Sequence, residues 1–371
     1  MAGLVRLWCL PILLAALLVS CISQQSREAT RLLEDIDRGS GPSALKAATP
    51  TPTRSELSYE IDGRLRLADL YQPNQPVGAA LVLVPGFTPH GKNDRRVVEL
   101  ANSLARVRFQ VLVPDLAGAR NLRVSLADAD AIADGVVHLS GLAARGQGVG
   151  ILAISYGVGL AVLASEQPEV AGRLAFLVGI GAYYDTASLI TFMTTGTYRE
   201  PASGTLHRIE PEPDAKWIFL ASNVDVLSDA DDQLKLRAIA ERHLLSPGAS
   251  VTPLAKVLGP EGRALYDLMT NQDPARVAAL SDALPAEVRA RIQELSLAGR
   301  DLSPLAGKLI LVHGREDTLI PYTESQALAA AVPDSELFLI DGFSHIEPSD
   351  VGVLGQLQLI DAAVAVLNRR Q

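Results

Sequence analysis

The chain has very little cysteine. Its 371 residues include only two cysteines, Cys9 and Cys21, and both lie close to the N-terminus. A disulfide framework and a cysteine-based metal site are therefore excluded for the rest of the sequence. Histidine spacings that bind zinc, such as H-E-x-x-H, are also absent. The sequence thus gives no reason to expect a metal.

Positive charge is in the minority. The formal net charge is -9 at pH 7, and no block of like charge stands out. Because nucleic-acid-binding domains carry basic patches, this balance argues against a nucleic-acid partner. Aromatic residues make up only 5% of the chain, whereas hydrophobic residues make up 48%. At this length the chain can bury one large core, or a core plus a smaller domain.

The N-terminal apolar run is too short to cross a bilayer. It occupies residues 7–19 after the single basic residue Arg6. That is about 13 residues, whereas a membrane-spanning helix needs about 20. This pattern is typical of a secretory signal. The run ends in L-V-S-C at 18–21, which resembles the lipobox of bacterial lipoproteins. An ordinary secretory signal with a chance cysteine is the alternative.

The lipobox resemblance implies a membrane anchor. Residues 1–20 would be a signal peptide of the lipoprotein type, and Cys21 would carry lipid after cleavage. The protein would then be exported and attached to the cell envelope through Cys21. Because Ile and Ser follow this cysteine and no Asp does, the resemblance implies outer-membrane sorting in an organism with two membranes. We expect residues 21–55 to form a tether, with a short amphipathic helix at 27–37 and proline-stiffened chain after it.

From residue 56 onward, strand patterns and helix patterns alternate. Residues 57–61 and 64–71 alternate apolar and polar around Asp62-Gly63, which predicts a β-hairpin. Apolar runs predict buried strands at 79–84, 109–113, 149–154, 174–180, 308–312 and 335–340. Helical spacing falls between or after them at 94–106, 125–143, 156–164, 322–331 and 351–368. This order predicts a mostly parallel sheet with helices on both faces and the hairpin at one edge.

Residues 186–307 interrupt the alternation. Their patterns mostly indicate helices, separated by proline and glycine, at 189–193, 229–243, 253–269, 273–283 and 285–297. Residues 217–221 fit either a helix or a strand of the main sheet. Because the alternating pattern resumes at 308, we interpret the segment as a helical cap inserted over the strand ends. A separate domain with its own function is the alternative.

Ser155 lies where a buried strand turns directly into a helix. The sequence A-I-S-Y-G at 153–157 places a small residue two positions before the serine and another two positions after it. Small neighbours let the backbone turn tightly and expose the hydroxyl, as in the nucleophile elbow G-x-S-x-G. Ala153 replaces the first glycine of that motif. A helix N-cap is the alternative interpretation of such a serine.

A serine, an aspartate and a histidine each follow a predicted strand, in the order Ser155, Asp317, His345. A serine hydroxyl becomes a nucleophile when a neutral imidazole takes its proton and a buried carboxylate orients that imidazole. The carboxyl ends of parallel strands meet at one edge of the sheet. We therefore expect these three side chains to converge there.

From about residue 57 to the C-terminus, the sequence resembles the α/β-hydrolase superfamily. The resemblance rests on four motifs in the family's order: L-V-P-G-F at 83–87, A-I-S-Y-G at 153–157, H-G-R-E-D-T-L-I-P at 313–321 and G-F-S-H at 342–345. It implies an α/β-hydrolase fold for residues 56–371 with 186–307 as the inserted cap. It also implies a triad of Ser155, Asp317 and His345, and an oxyanion hole made by the backbone N–H groups of Phe87 and Tyr156.

The same resemblance implies a serine hydrolase of the carboxylesterase or lipase type. It would cleave an ester or thioester of a small or lipid acyl substrate through an acyl-enzyme, without a cofactor. A non-catalytic binding lipoprotein, a peptidase of the same fold and an enzyme that cleaves a carbon–carbon bond are the alternatives. Oligomeric state is left open.

Three neighbours of the motif residues have alternative or secondary roles. Glu316 is an alternative acid, although the family spacing selects Asp317. His90 lies near the expected oxyanion loop and is a candidate substrate contact. His313 is expected to pack at the end of its strand.

Overall fold

The computed structural model describes residues 23–121, 123, 125–143, 147–246, 249–345 and 351–370. The expected signal peptide at 1–20 and the expected lipidation site Cys21 lie outside these residues. Within the described part, no helix combines the length and the apolar character that a membrane span requires.

The strands form one large sheet and one small one. The strands are β1 (Thr53–Ile61), β2 (Arg64–Gln72), β3 (Ala79–Val84), β4 (Phe109–Pro114), β5 (Val149–Ile154), β6 (Leu174–Ile180), β7 (Thr197–Arg199), β8 (Leu206–Arg208), β9 (Leu309–Gly314) and β10 (Glu336–Ile340). The large sheet has eight strands in the order β1-β2-β4-β3-β5-β6-β9-β10, and β7 pairs only with β8. The six strands from β4 to β10 in that order are parallel, and β2 pairs antiparallel with both of its neighbours, β1 and β4. The predicted mostly parallel sheet with an antiparallel edge is confirmed.

Helices follow most strands. They are α1 (Gln24–Arg38), α2 (Ala44–Ala48), α3 (Arg95–Arg106), α4 (Ala117–Arg120), α5 (Leu126–Leu142), α6 (Tyr156–Ser165), α7 (Pro168–Ala171), α8 (Thr186–Thr195), α9 (Ala215–Asn223), α10 (Ala230–Leu245), α11 (Thr252–Lys256), α12 (Pro260–Thr270), α13 (Val277–Asp282), α14 (Ala286–Leu295), α15 (Tyr322–Ala331) and α16 (Val353–Leu367). Helices α5, α6 and α15 pack on one face of the large sheet, and α1, α3 and α16 pack on the other.

Apolar strand residues and the residues of the β1–β2 turn account for the form of the sheet. Every residue of β3 and β4 is buried, as expected for central strands covered on both faces. The β1–β2 turn places Asp62 at φ 49° and Gly63 at φ 78°. Two consecutive residues with positive φ give the turn that matches strand twist, and Asp-Gly tolerates it best.

The segment 186–307 has a hydrophobic core of its own, in which Trp217, Leu236 and Leu265 are buried together. Residues 217–221, which the sequence left ambiguous, belong to helix α9. The structure also adds the hairpin β7–β8, which the sequence analysis did not predict. Its strands have three residues each, too few to give a detectable alternation. The segment is therefore helical with one small hairpin.

The N-terminal segment, for which the sequence analysis expects a tether, holds two helices in its described part. Ala29 and Leu32 of α1 are buried in the same core cluster as residues of α3 and α16. Glu28 makes a bidentate pair with Arg370, at 2.6 and 2.7 Å. An amphipathic helix that meets an uncovered apolar face of the sheet packs there, since this removes both surfaces from water.

Asp35 lies in the last turn of α1 and binds this end of the helix to its neighbours. Its carboxylate is 1% exposed and accepts hydrogen bonds from Lys46 Nζ at 2.6 Å, from Ser103 Oγ at 2.6 Å and from Ser43. Burial raises the pKa of Asp35, but these three donors outweigh burial and hold the pKa below its ordinary value. The charged form is therefore the one that the folded state favours.

We predict that Asp35→Asn lowers the free energy of unfolding at pH 7 by about 2 kcal/mol, because charge-assisted hydrogen bonds to a buried carboxylate are lost. Because the pKa of Asp35 is lower in the folded protein than in the unfolded chain, the charged carboxylate stabilises the fold at pH values above the unfolded pKa. This stabilisation is lost as the pH falls through the folded pKa. The difference between wild type and variant should thus shrink below about pH 4. Urea unfolding from pH 7 to pH 3 measures it, with the exposed Asp37→Asn as control. An equal difference at both pH values contradicts the prediction.

Candidate active site

Ser155 occupies a strained backbone position between β5 and α6. Its φ is 56° and its ψ is -131°, a region that residues with a Cβ atom rarely adopt. Its N–H donates to Ile180 O at 2.7 Å, and its carbonyl accepts from Val158 N at 2.9 Å. The turn is thus held by β6 on one side and by the first turn of α6 on the other. The strand–turn–helix geometry is that of a nucleophile elbow.

Small residues stand on both sides of this turn. A Cβ atom at Gly157 would lie 2.8 Å from Pro85 O and 2.9 Å from Val84 Cγ1, closer than any side chain tolerates. Ala153 is fully buried opposite Val84 and Gly179 on the neighbouring strands. The methyl group of Ala153 fits there, so the departure from glycine leaves the turn intact.

Asp317 follows β9 and is 1% exposed. Its Oδ1 accepts from Leu319 N at 2.8 Å and Ile320 N at 2.9 Å. Its Oδ2 contacts His345 Nδ1 at 2.6 Å and His313 Nε2 at 3.1 Å. Burial raises the pKa of Asp317, but the hydrogen bonds from the two imidazoles outweigh burial and hold the pKa far below its ordinary value. The carboxylate is therefore ionised at neutral pH.

His313 belongs to this cluster as well as to the strand end where the sequence placed it. The ring is completely buried, with Nδ1 2.6 Å from Ser325 Oγ and Nε2 2.9 Å from Ile320 O. Because Ile320 O can only accept, Nε2 carries a hydrogen, and Ser325 can donate to Nδ1. The buried His313 ring thus supports the orientation of Asp317.

His345 lies between Asp317 and a cavity. Its Nδ1 points to the carboxylate, which leaves Nε2 for another partner. This Nε2 is buried and has no hydrogen-bond partner in the described part of the chain. A Cβ atom at Gly181, where φ is 65°, would lie 2.9 Å from His345 Cε1. Glycine at the end of β6 therefore provides the space that this imidazole occupies.

The two residues expected to form the oxyanion hole meet through their rings. Phe87 and Tyr156 stack with centroids 4.2 Å apart and an interplanar angle of 10°. The hydroxyl of Tyr156 accepts from Ser125 N at 3.0 Å. Tyr156 opens α6, where backbone N–H groups have no intrahelical partner. The stack fixes the two backbone segments relative to one another.

One cavity joins these groups. It encloses about 670 Å³ and is lined by Ser155, His345, Phe87 and Tyr156 among others. Ligand sites of enzymes are commonly apolar clefts of this size with a few polar groups. The apolar lining comes largely from the segment 186–307 and from loops, and includes Leu189, Met193, Ile218, Phe219, Leu295 and Leu319. Ser155 and His345 thus both line this cavity, and Asp317, which is not among the lining residues, contacts His345.

The alternative residues lie elsewhere. Glu316 accepts from Gly342 N at 2.8 Å, whereas Asp317 contacts His345. His90 is exposed and does not line the cavity. Within the described residues, no three His, Cys, Asp or Glu side chains are placed to share a metal ion.

A further part of the cavity wall could not be predicted from the sequence. Residues 36–40, at the C-terminal end of α1, line the same cavity as Ser155. The helical pattern at 27–37 signals the helix, but no sequence signal tells which surface it covers. The sequence also gave no indication of the bond between His313 and Asp317.

Comparison with known proteins supplies a family model and several solved structures. A model described as "Alpha/beta hydrolase family" matches residues 81–352. A comparison with curated protein sequences finds no match.

Three solved structures illustrate the similarity. A serine hydrolase from the polyaromatic-hydrocarbon-degrading bacterium Cycloclasticus zankles is 15% identical, with 85% of this chain and 96% of that chain covered and a TM-score of 0.44. A meta-cleavage product hydrolase from Pseudomonas fluorescens is 17% identical, with 84% and 96% covered and a TM-score of 0.44. A lipase in its open form is 17% identical, with 86% and 99% covered and a TM-score of 0.47.

The strain at Ser155 predicts an unusual order of stability. Ser155→Gly should be more stable than Ser155→Ala by about 1 kcal/mol, because glycine has no Cβ atom to strain at positive φ. Thermal melting of both variants measures the difference. At Ser140, inside helix α5, the order should reverse because glycine disfavours helices. Glycine equal to or less stable than alanine at position 155 contradicts the prediction.

Proposed function

The chain belongs to the alpha/beta hydrolase family, and from this premise we propose that it is a serine hydrolase that cleaves a carboxylic ester or thioester through an acyl-enzyme. One observation carries the proposal. Ser155 on a strained elbow and His345 bound to the buried Asp317 line the same cavity. A hydroxyl, an imidazole and an ionised carboxylate in that relation form the set that activates a serine nucleophile.

In the proposed mechanism, Ser155 Oγ attacks the carbonyl carbon while its proton moves to His345 Nε2. That nitrogen is buried and has no hydrogen-bond partner among the described residues. In the proposed mechanism the hydroxyl–imidazole hydrogen bond forms in the substrate complex, as is common for catalytic hydrogen bonds. Asp317 stabilises the imidazolium, which then returns the proton to the leaving alcohol or thiol. Water then attacks the acyl-enzyme while His345 Nε2 takes a proton from it. The imidazolium returns this proton to Ser155 Oγ as the acid leaves, which restores free Ser155.

The backbone N–H groups of Phe87 and Tyr156 are the proposed donors to the oxyanion. The carbonyl oxygen gains a negative charge only when the tetrahedral intermediate forms. Donors fixed in advance stabilise this charge without reorganising at the moment of reaction. The ring stack between the two residues and the bond from Ser125 to Tyr156 support such fixed positions.

The apolar side chains that line the cavity favour a substrate with an apolar acyl group over a highly charged substrate. The apolar side chains bury an aliphatic or aromatic group well, whereas a charged group placed against these side chains would lose hydration. An ester or thioester of an apolar acid therefore fits this site best.

We predict that Ser155→Ala abolishes labelling by a fluorophosphonate and lowers kcat/KM for p-nitrophenyl esters by about 10³-fold or more. Asp317→Asn should lower kcat by about 10⁴-fold, because it changes the tautomer and orientation of the imidazole. Gel fluorescence and steady-state kinetics measure both, with the helix serine variant Ser140→Ala as control. Undiminished labelling of Ser155→Ala overturns the proposal.

We also propose that the protein is a lipoprotein anchored through Cys21 at the outer membrane of a two-membrane cell. The support is the sequence L-V-S-C at the end of a short apolar run and the lack of Asp after the cysteine. In cells grown with an alkyne-tagged fatty acid, we expect the wild type to carry label in the outer-membrane fraction. Cys21→Ser should lose the label, whereas Cys9→Ser should keep it because Cys9 would leave with the signal peptide. Label retained by Cys21→Ser excludes this anchor.

A further inference from the structure

The C-terminal end of α1 contributes to the active-site cavity although it lies outside the family match. The family model begins at residue 81, whereas the cavity wall includes residues 36–40. Helix α3 lies beside them and contributes Val97 and Leu100 to the same wall. The two parts are in close contact, since a Cβ atom at Gly39 would lie 2.6 Å from Glu99 Oε2.

This wall is held firmly in place. Asp35, one residue before the wall, is bound by Lys46, Ser43 and Ser103, and Ser103 belongs to α3. Leu32 is buried one turn earlier. The wall therefore has the fixed position that a binding surface needs.

Its apolar part is Ile36 together with the neighbouring Val97 and Leu100, and Asp37, Arg38 and Ser40 add polar groups beside them. Ile36 is 38% exposed, which leaves a large apolar side chain uncovered at the cavity. Around α3 the rim of this wall carries two ion pairs, Arg96 3.3 Å from Asp94 and Arg95 4.0 Å from Glu99, and at 36–40 it carries one charge of each sign. Such a surface suits an aliphatic group that ends in a polar head, and it does not select one sign of charge.

A second apolar wall comes from the segment 186–307, through residues such as Leu189, Met193 and Phe219. The two walls come from different parts of the chain and share the cavity that contains Ser155. We infer that residues 36–40 form a specificity-determining wall, and that the substrate carries an apolar group on each side of its scissile carbonyl. The inference rests on the proposed function and narrows it from any ester to esters with both an apolar acyl group and an apolar alcohol or thiol.

The test uses a grid of four esters that combine an acetyl or decanoyl acid with a methyl or hexyl alcohol. The wild type should prefer the decanoyl hexyl ester. Ile36→Trp fills the part of the cavity beside the wall formed by α1. It should therefore lower kcat/KM about tenfold or more for the two esters that carry a long group on one particular side of the carbonyl, and not for the ester that is long only on the other side. Arg31→Trp, on the exposed face of the same helix, should match the wild type. Ile36→Ala, which removes apolar contact without adding bulk, should lower kcat/KM for the same two esters.

Labelling by a small fluorophosphonate separates the possible failures. Suppose that wild type and Ile36→Trp are labelled equally. If kcat/KM of the variant is then unchanged, or falls equally for all four esters, the wall is not part of the substrate site. If Ile36→Trp melts early, the Ile36→Ala result decides alone. If the wild type itself is not labelled, the proposed function fails and this inference fails with it.

Discussion

The buried carboxylate of Asp317 is the interaction on which the rest of the site depends. A carboxylate offers about four positions for hydrogen-bond donors, and here two backbone N–H groups and two imidazoles occupy them. Taking such a charge out of water is costly unless its donors are in place. The loop after β9 supplies the backbone donors, β9 supplies His313, and the loop after β10 supplies His345. The carboxylate therefore connects the loops after the two C-terminal strands with His345.

The elbow at Ser155 shows how a strained residue is maintained by its surroundings. Its backbone conformation is unfavourable by itself, but β6 and α6 hold it through hydrogen bonds. Gly157 allows the Pro85 carbonyl to come close, and Gly86 lies beside the serine, where its Cβ would be 3.4 Å from Ser155 Cβ. The strand end, the serine and the Phe87 loop are thus packed as one unit. This arrangement keeps the hydroxyl and the proposed oxyanion donors at fixed relative positions.

The N-terminal helix links the proposed membrane anchor to the proposed reaction site. Helix α1 begins three residues after Cys21 and ends at the cavity. Its 15 residues span about 22 Å. In a protein anchored through Cys21, a docked helix of this kind holds the cavity at a defined distance and orientation from the membrane. A flexible tether would leave both undefined.

The sequence by itself determined the central sheet, the edge hairpin at Asp62-Gly63 and the residues of the proposed triad. Continuous apolar runs mark strands that are buried on both faces, and strand order along the chain brings their carboxyl ends together. Residues 217–221 stayed ambiguous because an apolar run of five residues fits a helix as well as a strand. Only the tertiary structure decided what α1 covers, that His313 shares the carboxylate of Asp317, and that the Phe87 and Tyr156 rings stack. Each of these is a contact between residues distant in sequence, and local periodicity shows which face of an element is apolar but not which surface meets it.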